Sequence, residues 1–215
     1  MTLYAPDGKT IAIRIDGDYL QNCFASVEIA NGSTCPVPLL VRIPAWSKKT
    51  SVRINGQEQP AVAGAYHRIE LVPGTTLLEI HFDRTPVLCE FPYELEEYGP
   101  DHWAIKRWTL GPSDAVSYVP AELMARKRMS TLRVGPLLLA RSKRIGNAVE
   151  EMFGGKTVCG KDYQCTVTPA PMPNVRCGFH VEFVSADDRF STPMCDYASA
   201  GNEILADEAH FSIFV

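Results

Sequence analysis

The sequence predicts an all-β fold, an antiparallel β-sandwich or jelly roll. Apolar and polar residues alternate with a period of two in short segments, and Gly, Pro and Asn separate these segments. Hydrophobic residues make up 46% and charged residues 21% of the 215 positions, which is typical of a folded globular protein. This length suits either two small sandwiches packed together or one large jelly roll. We expect two units, at 1–85 and 86–215, with an irregular segment over 86–130.

Composition and charge exclude several functional classes. A net charge of -4 provides no basic surface for nucleic acid and no polybasic patch for a membrane. No segment reaches the roughly 18 apolar residues that span a bilayer, and the first residues lack the features of a signal peptide. Seven cysteines without a C-x-x-C pair predict free thiols in a reducing, cytoplasmic compartment. Cys159, Cys165 and Cys177 match no common zinc spacing, so we expect no metal.

The first strands follow from alternation. Residues 11–15 and 25–29 alternate, and turns follow them at Gly17 and at Asn31-Gly32. Residues 40–43 alternate again up to Pro44, which removes a backbone donor and should end the strand. Trp46 follows this break, and we expect it to pack into the core.

A hairpin signal follows that corner. Residues 52–54 form a short strand that ends in Asn55-Gly56, a pair that tolerates the positive φ angles of tight hairpins. Two more strands are predicted at 67–71 and 78–82, on either side of a turn at Pro73-Gly74.

Periodicity is lost over 86–130 and then returns. In that segment, residues 120–129 fit a short helix with Pro at its first position and basic residues near its end. The strand signal resumes at 132–140, which includes Gly135-Pro136. Further strands are predicted at 164–168, 177–183 and 210–215.

Three short motifs stand out along the chain: Arg-Ile-Pro-Ala-Trp at 42–46, Val-x-Ile-Asn-Gly at 52–56 and Arg-Val-Gly-Pro-Leu at 133–137. Their motif residues are Arg42, Pro44, Trp46, Asn55, Gly56, Gly135 and Pro136. Taken in order with residues 66–69, 73–77 and 196–201, these segments resemble the region that follows the catalytic barrel in the β-L-arabinofuranosidase-like glycoside hydrolases of family 127.

The resemblance implies an accessory role. Family enzymes have an (α/α)₆ barrel ahead of this region, with a cysteine nucleophile and a zinc ion bound by a glutamate and cysteines. This chain has no Cys-Cys pair and no Glu-x-Cys, so no catalytic residue and no cofactor is assigned to it. We expect a non-catalytic sandwich region that packs on an upstream barrel or forms oligomer contacts.

A carbohydrate-binding module is the alternative. Its candidate sugar-binding residues are Tyr98, His102, Trp103 and Trp108, because aromatic rings stack on the apolar faces of sugars. For Trp103 and Trp108, a core or a domain interface is the more ordinary interpretation.

Two acidic groups are also candidates for chemistry. Glu94, Glu96, Glu97 and Asp101 could supply the paired carboxylates of a glycosidase, but a solvated loop is the simpler interpretation. Asp187, Asp188 and Asp196 could bind calcium, although they match no calcium-loop spacing.

Overall fold

The computed structural model describes residues 1–91, 93–99, 102–108, 118–120, 129–148, 158, 162–201 and 211–213. The description covers the backbone alone at 91, 93–99, 102–108, 118–120, 129 and 201. Antiparallel strands dominate this part of the chain, so the predicted all-β sandwich class is confirmed. The chain divides into two compact units, Met1–Thr85 and Pro86–Val215. Among the described residues, no helix is long and apolar enough to cross a membrane.

Unit 1 contains eight strands in two sheets. The strands are β1 (Thr2–Tyr4), β2 (Thr10–Asp16), β3 (Phe24–Asn31), β4 (Val37–Arg42), β5 (Ser51–Ile54), β6 (Gln57–Gln59), β7 (Tyr66–Leu71) and β8 (Gly74–His81). Six of them form a sheet in the order β1-β2-β3-β8-β5-β6, and β4 pairs with β7 in a separate two-stranded sheet.

The core of unit 1 lies between these two sheets. Ile29, Val52 and Leu78 come from the six-stranded sheet and are at most 1% exposed. Ile69 and Leu71 of β7 belong to the same buried cluster. Inward positions alternate with outward ones along β7 and β8, which is the pattern expected of a sandwich.

The Pro44 corner connects the two sheets. Val41 lies in β4 of the two-stranded sheet, whereas Val52 lies in β5 of the six-stranded sheet. The chain turns between them, where Ser47 N donates to the Pro44 carbonyl at 3.1 Å. Pro44 therefore ends one ladder and the chain crosses to the opposite sheet.

The described residues of unit 2 form ten strands. They are β9 (Pro86–Phe91), β10 (Tyr93–Gly99), β11 (His102–Trp108), β12 (Tyr118–Pro120), β13 (Met129–Val134), β14 (Leu137–Ser142), β15 (Gln164–Pro169), β16 (Gly178–Val184), β17 (Arg189–Asp196) and β18 (Phe211–Ser212). A 3-10 helix at Lys143–Ile145 and the short helix α1 (Tyr197–Gly201) accompany them.

Most of the strands of unit 2 form one strongly curved sheet. Its order is β15-β16-β17-β14-β13-β9, with β18 pairing with β14. The two end strands, β15 and β9, contact each other, so the sheet nearly closes on itself. Phe179, Val181 and Phe183 alternate along β16 and are fully buried. β10, β11 and β12 form a separate three-stranded sheet.

The prediction of an irregular segment at 86–130 is wrong in the part that the structure describes, because four strands lie there. Two β-bulges explain the lost periodicity. Lys106 is an extra residue on β11 and Tyr98 is an extra residue on β10, and each shifts the register by one position. The helix predicted at 120–129 falls mostly at 121–128, outside the described residues.

The prediction of one continuous strand at 132–140 is also wrong. Val134 pairs with Leu137, and Gly135-Pro136 forms the two-residue turn of a hairpin between β13 and β14. Gly135 has a φ of 54°, and Pro136 has no backbone N–H for a ladder. β17 was not predicted, whereas the predicted strands at 164–168 and 177–183 correspond to β15 and β16.

Candidate functional site

The predicted aromatic residues lie on the β10–β11 hairpin of unit 2. His102, Trp103 and Trp108 are in β11, and Tyr98 is the bulged residue of β10. For these residues the structure describes the backbone, which gives their places in the ladder. The carboxylate candidates Glu94, Glu96 and Glu97 are in β10, and Asp101 lies outside the described residues.

The bulge at Lys106 determines which ladder positions share a face. Residues five apart on a regular strand occupy opposite faces, but one extra residue restores the phase. Positions 93, 95 and 97 alternate along β10 and therefore share one face of the hairpin. Their partners on β11 are 108, 105 and 103, so all six positions lie on that face. Position 102 is on the other face.

The calcium candidates do not form one cluster. Asp196 is buried, and its two carboxylate oxygens accept from Cys177 N and Ser199 N, both at 2.9 Å. Asp188 closes a turn in which Ser185 N donates to its carbonyl at 2.8 Å. Asp196 therefore has a structural role. In the described portion of the chain, no three His, Cys, Asp or Glu side chains lie close enough to hold a metal ion.

The motif residues of unit 1 stabilise local structure. The Arg42 guanidinium lies 5.2 Å from the centre of the Tyr66 ring and also donates to the Gly64 carbonyl. Trp46 is half-buried, and its ring centre lies 6.0 Å from that of Phe82. Both residues attach the Pro44 corner to the strands around it.

The buried cysteines lack the properties of nucleophiles. Burial raises the pKa of Cys195 to about 12, and the neighbouring Asp196 carboxylate adds to the shift. Burial also raises the pKa of Cys23 and of Cys165. Because the thiolate is the reactive form, raised pKa values disfavour nucleophilic attack by these thiols near neutral pH. Six cysteines are described and each is a free thiol; Cys159 lies outside the described residues.

Unit 1 has a polar groove between β6 and β7 that was not predicted from the sequence. We call it the β6–β7 groove. It has a volume of about 430 Å³. β6 is the last strand of the six-stranded sheet, and β7 pairs only with β4 among the described strands. The groove is therefore the gap at the open side of the sandwich. Its polar lining consists of Asn55, Gln57, Gln59, His67, Arg68 and Glu70.

The backbone of the β5–β6 hairpin fixes one end of this groove. Asn55 and Gly56 have φ angles of 51° and 80°, as the predicted Asn-Gly turn requires. Asn55 N donates to the Leu77 carbonyl, and Leu77 N donates to Asn55 Oδ1, both at 2.8 Å. The Asn55 carboxamide is thus oriented by β8.

An ion pair lies at the opposite side of the groove. Arg68 donates through Nε and one terminal nitrogen to Glu70 Oε1, at 2.8 and 2.6 Å. No hydrogen bond from any described residue engages the side chains of Gln57, Gln59 or His67. The groove therefore presents several free donors and acceptors and little net charge.

Comparison with known proteins identifies the fold. No family model and no curated protein matches the sequence. A glycoside hydrolase structure matches with a TM-score of 0.60 and 16% identity, over all of this chain and 34% of that one. A GH127 β-L-arabinofuranosidase from Geobacillus stearothermophilus T6 matches with a TM-score of 0.55 and 15% identity, over all of this chain and 32% of that one.

The chain has the fold of one part of these enzymes. This confirms, at the level of fold, the family 127 resemblance predicted from the sequence. The chain spans about a third of the length of the glycoside hydrolases that it matches. At this identity the likeness establishes the architecture, and the activity of the whole enzymes is a separate question.

Proposed function

We propose that this chain is a non-catalytic accessory region of a β-L-arabinofuranosidase-like glycoside hydrolase. In this proposal it packs on a catalytic barrel or forms oligomer contacts, and the barrel supplies the chemistry. The observation that supports it most is the full coverage of this chain on about a third of two glycoside hydrolases.

The chemistry of the described residues is in keeping with this role. Two carboxyl groups in unit 1 have displaced pKa values, and both are displaced downward. Backbone hydrogen bonds from Lys9 and Thr34 lower the pKa of Asp7. For Asp83, burial opposes the shift, but hydrogen bonds from Thr85 and Lys49 outweigh it. A general acid in glycoside hydrolysis needs the opposite displacement.

The size of the native protein tests this proposal. An antibody raised against the chain should detect a band near 70 kDa in extracts of the source cells, because 23.8 kDa would be about 34% of that mass. The purified chain should also release no nitrophenol from 4-nitrophenyl β-L-arabinofuranoside. A native band near 24 kDa together with turnover by the chain would overturn the accessory role.

A carbohydrate-binding module is the second candidate. The observation that favours it is the bulged register, which assigns positions 103 and 108 to one face of the β10–β11 hairpin. Two aromatic residues on one face of a hairpin can form a stacking platform for sugar rings.

Tryptophan fluorescence during titration with arabinose and galactose tests the second candidate. A saturable change should disappear in Trp103→Ala and persist in His102→Ala, since position 102 lies on the other face. A flat response from the unaltered chain, or equal loss in both variants, would exclude the platform.

A further inference from the structure

We propose that the β6–β7 groove of unit 1 binds a neutral mono- or disaccharide. This site is separate from the aromatic hairpin, because all of its residues belong to Met1–Thr85. The inference does not depend on the accessory role proposed above.

The volume of the groove fits a small ligand. At about 430 Å³ it has room for a mono- or disaccharide, and it is an open groove, because Asn55, Gln57, Arg68 and Glu70 are exposed. Ile54 and Ile69 add apolar surface between the polar side chains. A sugar ring has the same mixture, with C–H groups on its faces and hydroxyls around its rim.

The polar lining suits hydroxyl groups in particular. A carboxamide offers two N–H donors and a carbonyl acceptor, so Gln57 and Gln59 can each bind a hydroxyl as donor and as acceptor. The Oδ1 atom of Asn55 already accepts from Leu77 N, which leaves its NH₂ group as an oriented donor. Orienting a group before binding reduces the entropy lost on binding.

The charges favour a neutral ligand. Arg68 and Glu70 are the charged residues of the lining, and they pair with each other at 2.6 Å. An anionic ligand would have to compete with Glu70 for the guanidinium. A hydroxyl pair can instead contact the guanidinium and the second carboxylate oxygen without breaking the ion pair.

A peptide strand is a poorer occupant of the same groove. β6 has three residues and is followed by Pro60, so its free edge offers a very short ladder. Added strands bind mainly through a long row of backbone groups. The groove therefore favours recognition by side chains.

Titration of the ¹⁵N-labelled full chain tests the site by NMR. The probes are L-arabinose, D-galactose and cellobiose, each raised to about 50 mM, well above a millimolar Kd. We expect at least one probe to shift the side-chain NH₂ signals of Asn55, Gln57 and Gln59 in a saturable manner. These signals report the proposed contacts directly.

Matched variants separate the site from the rest of unit 1. Gln57→Ala should weaken binding about three- to tenfold, the effect of losing one or two hydrogen bonds. Glu58→Ala is the control, because Glu58 lies on β6 between Gln57 and Gln59 and does not line the groove. Its Kd should equal that of the unaltered chain. The melting temperature of each variant shows whether it is folded.

Three results would overturn the inference. They are an absence of NH₂ shifts with every probe, equal weakening by Gln57→Ala and Glu58→Ala in folded proteins, and saturable shifts confined to residues 93–108. The last result would support the aromatic hairpin instead.

Discussion

Asp196 joins the start of α1 to the loop before β16 through two side-chain hydrogen bonds. Its carboxylate accepts from Cys177 N and Ser199 N, both at 2.9 Å, and the residue is 5% exposed. Asp196→Ala removes the carboxylate that accepts from two buried backbone N–H groups. We expect it to lower the free energy of unfolding by about 1–3 kcal/mol in urea titrations.

Asp187→Ala is the control for this variant. Asp187 is exposed, and its side chain makes no hydrogen bond with the described residues. Its removal should change the free energy of unfolding by less than about 0.5 kcal/mol. Equal effects of the two substitutions would contradict the structural role of Asp196.

Asp7 connects the loop after β1 to the loop after β3, and this contact should depend on pH. Backbone hydrogen bonds from Lys9 and Thr34, with a third from the Ser33 hydroxyl, lower its pKa below the ordinary 3.8. A lowered folded-state pKa stabilises the fold above pH 3.8, and the stabilisation is lost as pH falls through the lower folded value.

Asp7→Asn should therefore reduce the urea midpoint at pH 7 and make a smaller difference at pH 2. The comparison needs urea unfolding curves of both proteins at the two pH values. A difference that stays the same, or grows on acidification, would show that the charge of Asp7 contributes nothing.

Gly56 and Gly178 are needed for the stability of the fold, each for a different physical reason. Gly56 has a φ of 80° and open space around an added Cβ, so Gly56→Ala should cost only backbone strain, about 1–2 kcal/mol. A Cβ on Gly178 would lie 2.5 Å from the Ala170 carbonyl oxygen, inside the β15–β16 hairpin. Gly178→Ala should cost more, about 2–4 kcal/mol, because backbone atoms must move.

Urea unfolding of the two alanine variants measures this difference. Gly56→Asn serves as the control for backbone strain, because Asn tolerates the left-handed region better than Ala. It should recover part of the stability lost in Gly56→Ala. A larger loss from Gly56→Ala than from Gly178→Ala would reverse the expected order.

Local patterns predict the elements that have one buried face. β2, β3 and β7 alternate without interruption, and the sequence locates all three. The bulges at Tyr98 and Lys106 break the alternation of β10 and β11, so that hairpin resembles irregular chain. The Gly135-Pro136 turn was not predicted for a different reason. The apolar residues of β13 and β14 on either side of it have the pattern of a single strand.

The β6–β7 groove could not be predicted because nothing local marks it. Gln57 and Gln59 follow a hairpin turn, and His67 lies on the next strand, in a different sheet. They line one groove because the chain crosses to the other sheet after Pro44 and crosses back between β6 and β7. The aromatic hairpin, in contrast, attracts attention in the sequence because its residues are close along the chain.

Unit 1 has what an independently folding domain requires. Nine buried apolar residues and eight partly buried ones form its core, and every one lies between Ala5 and Phe82. At 85 residues it exceeds the size below which a single core rarely suffices. We therefore expect residues 1–85, expressed alone, to fold with a free energy of unfolding of about 4 kcal/mol or more.

An NMR spectrum and a urea titration of residues 1–85 check this prediction. Folding should give widely dispersed amide signals and a single cooperative transition. Val52→Ala is the sensitive control, because Val52 is fully buried in that core and its truncation should lower the urea midpoint. Poorly dispersed signals would mean that the core between Ala5 and Phe82 is insufficient and that unit 1 needs contacts beyond Thr85. Because the β6–β7 groove lies entirely within unit 1, a folded fragment should also keep the sugar-dependent shifts of Gln57 and Gln59.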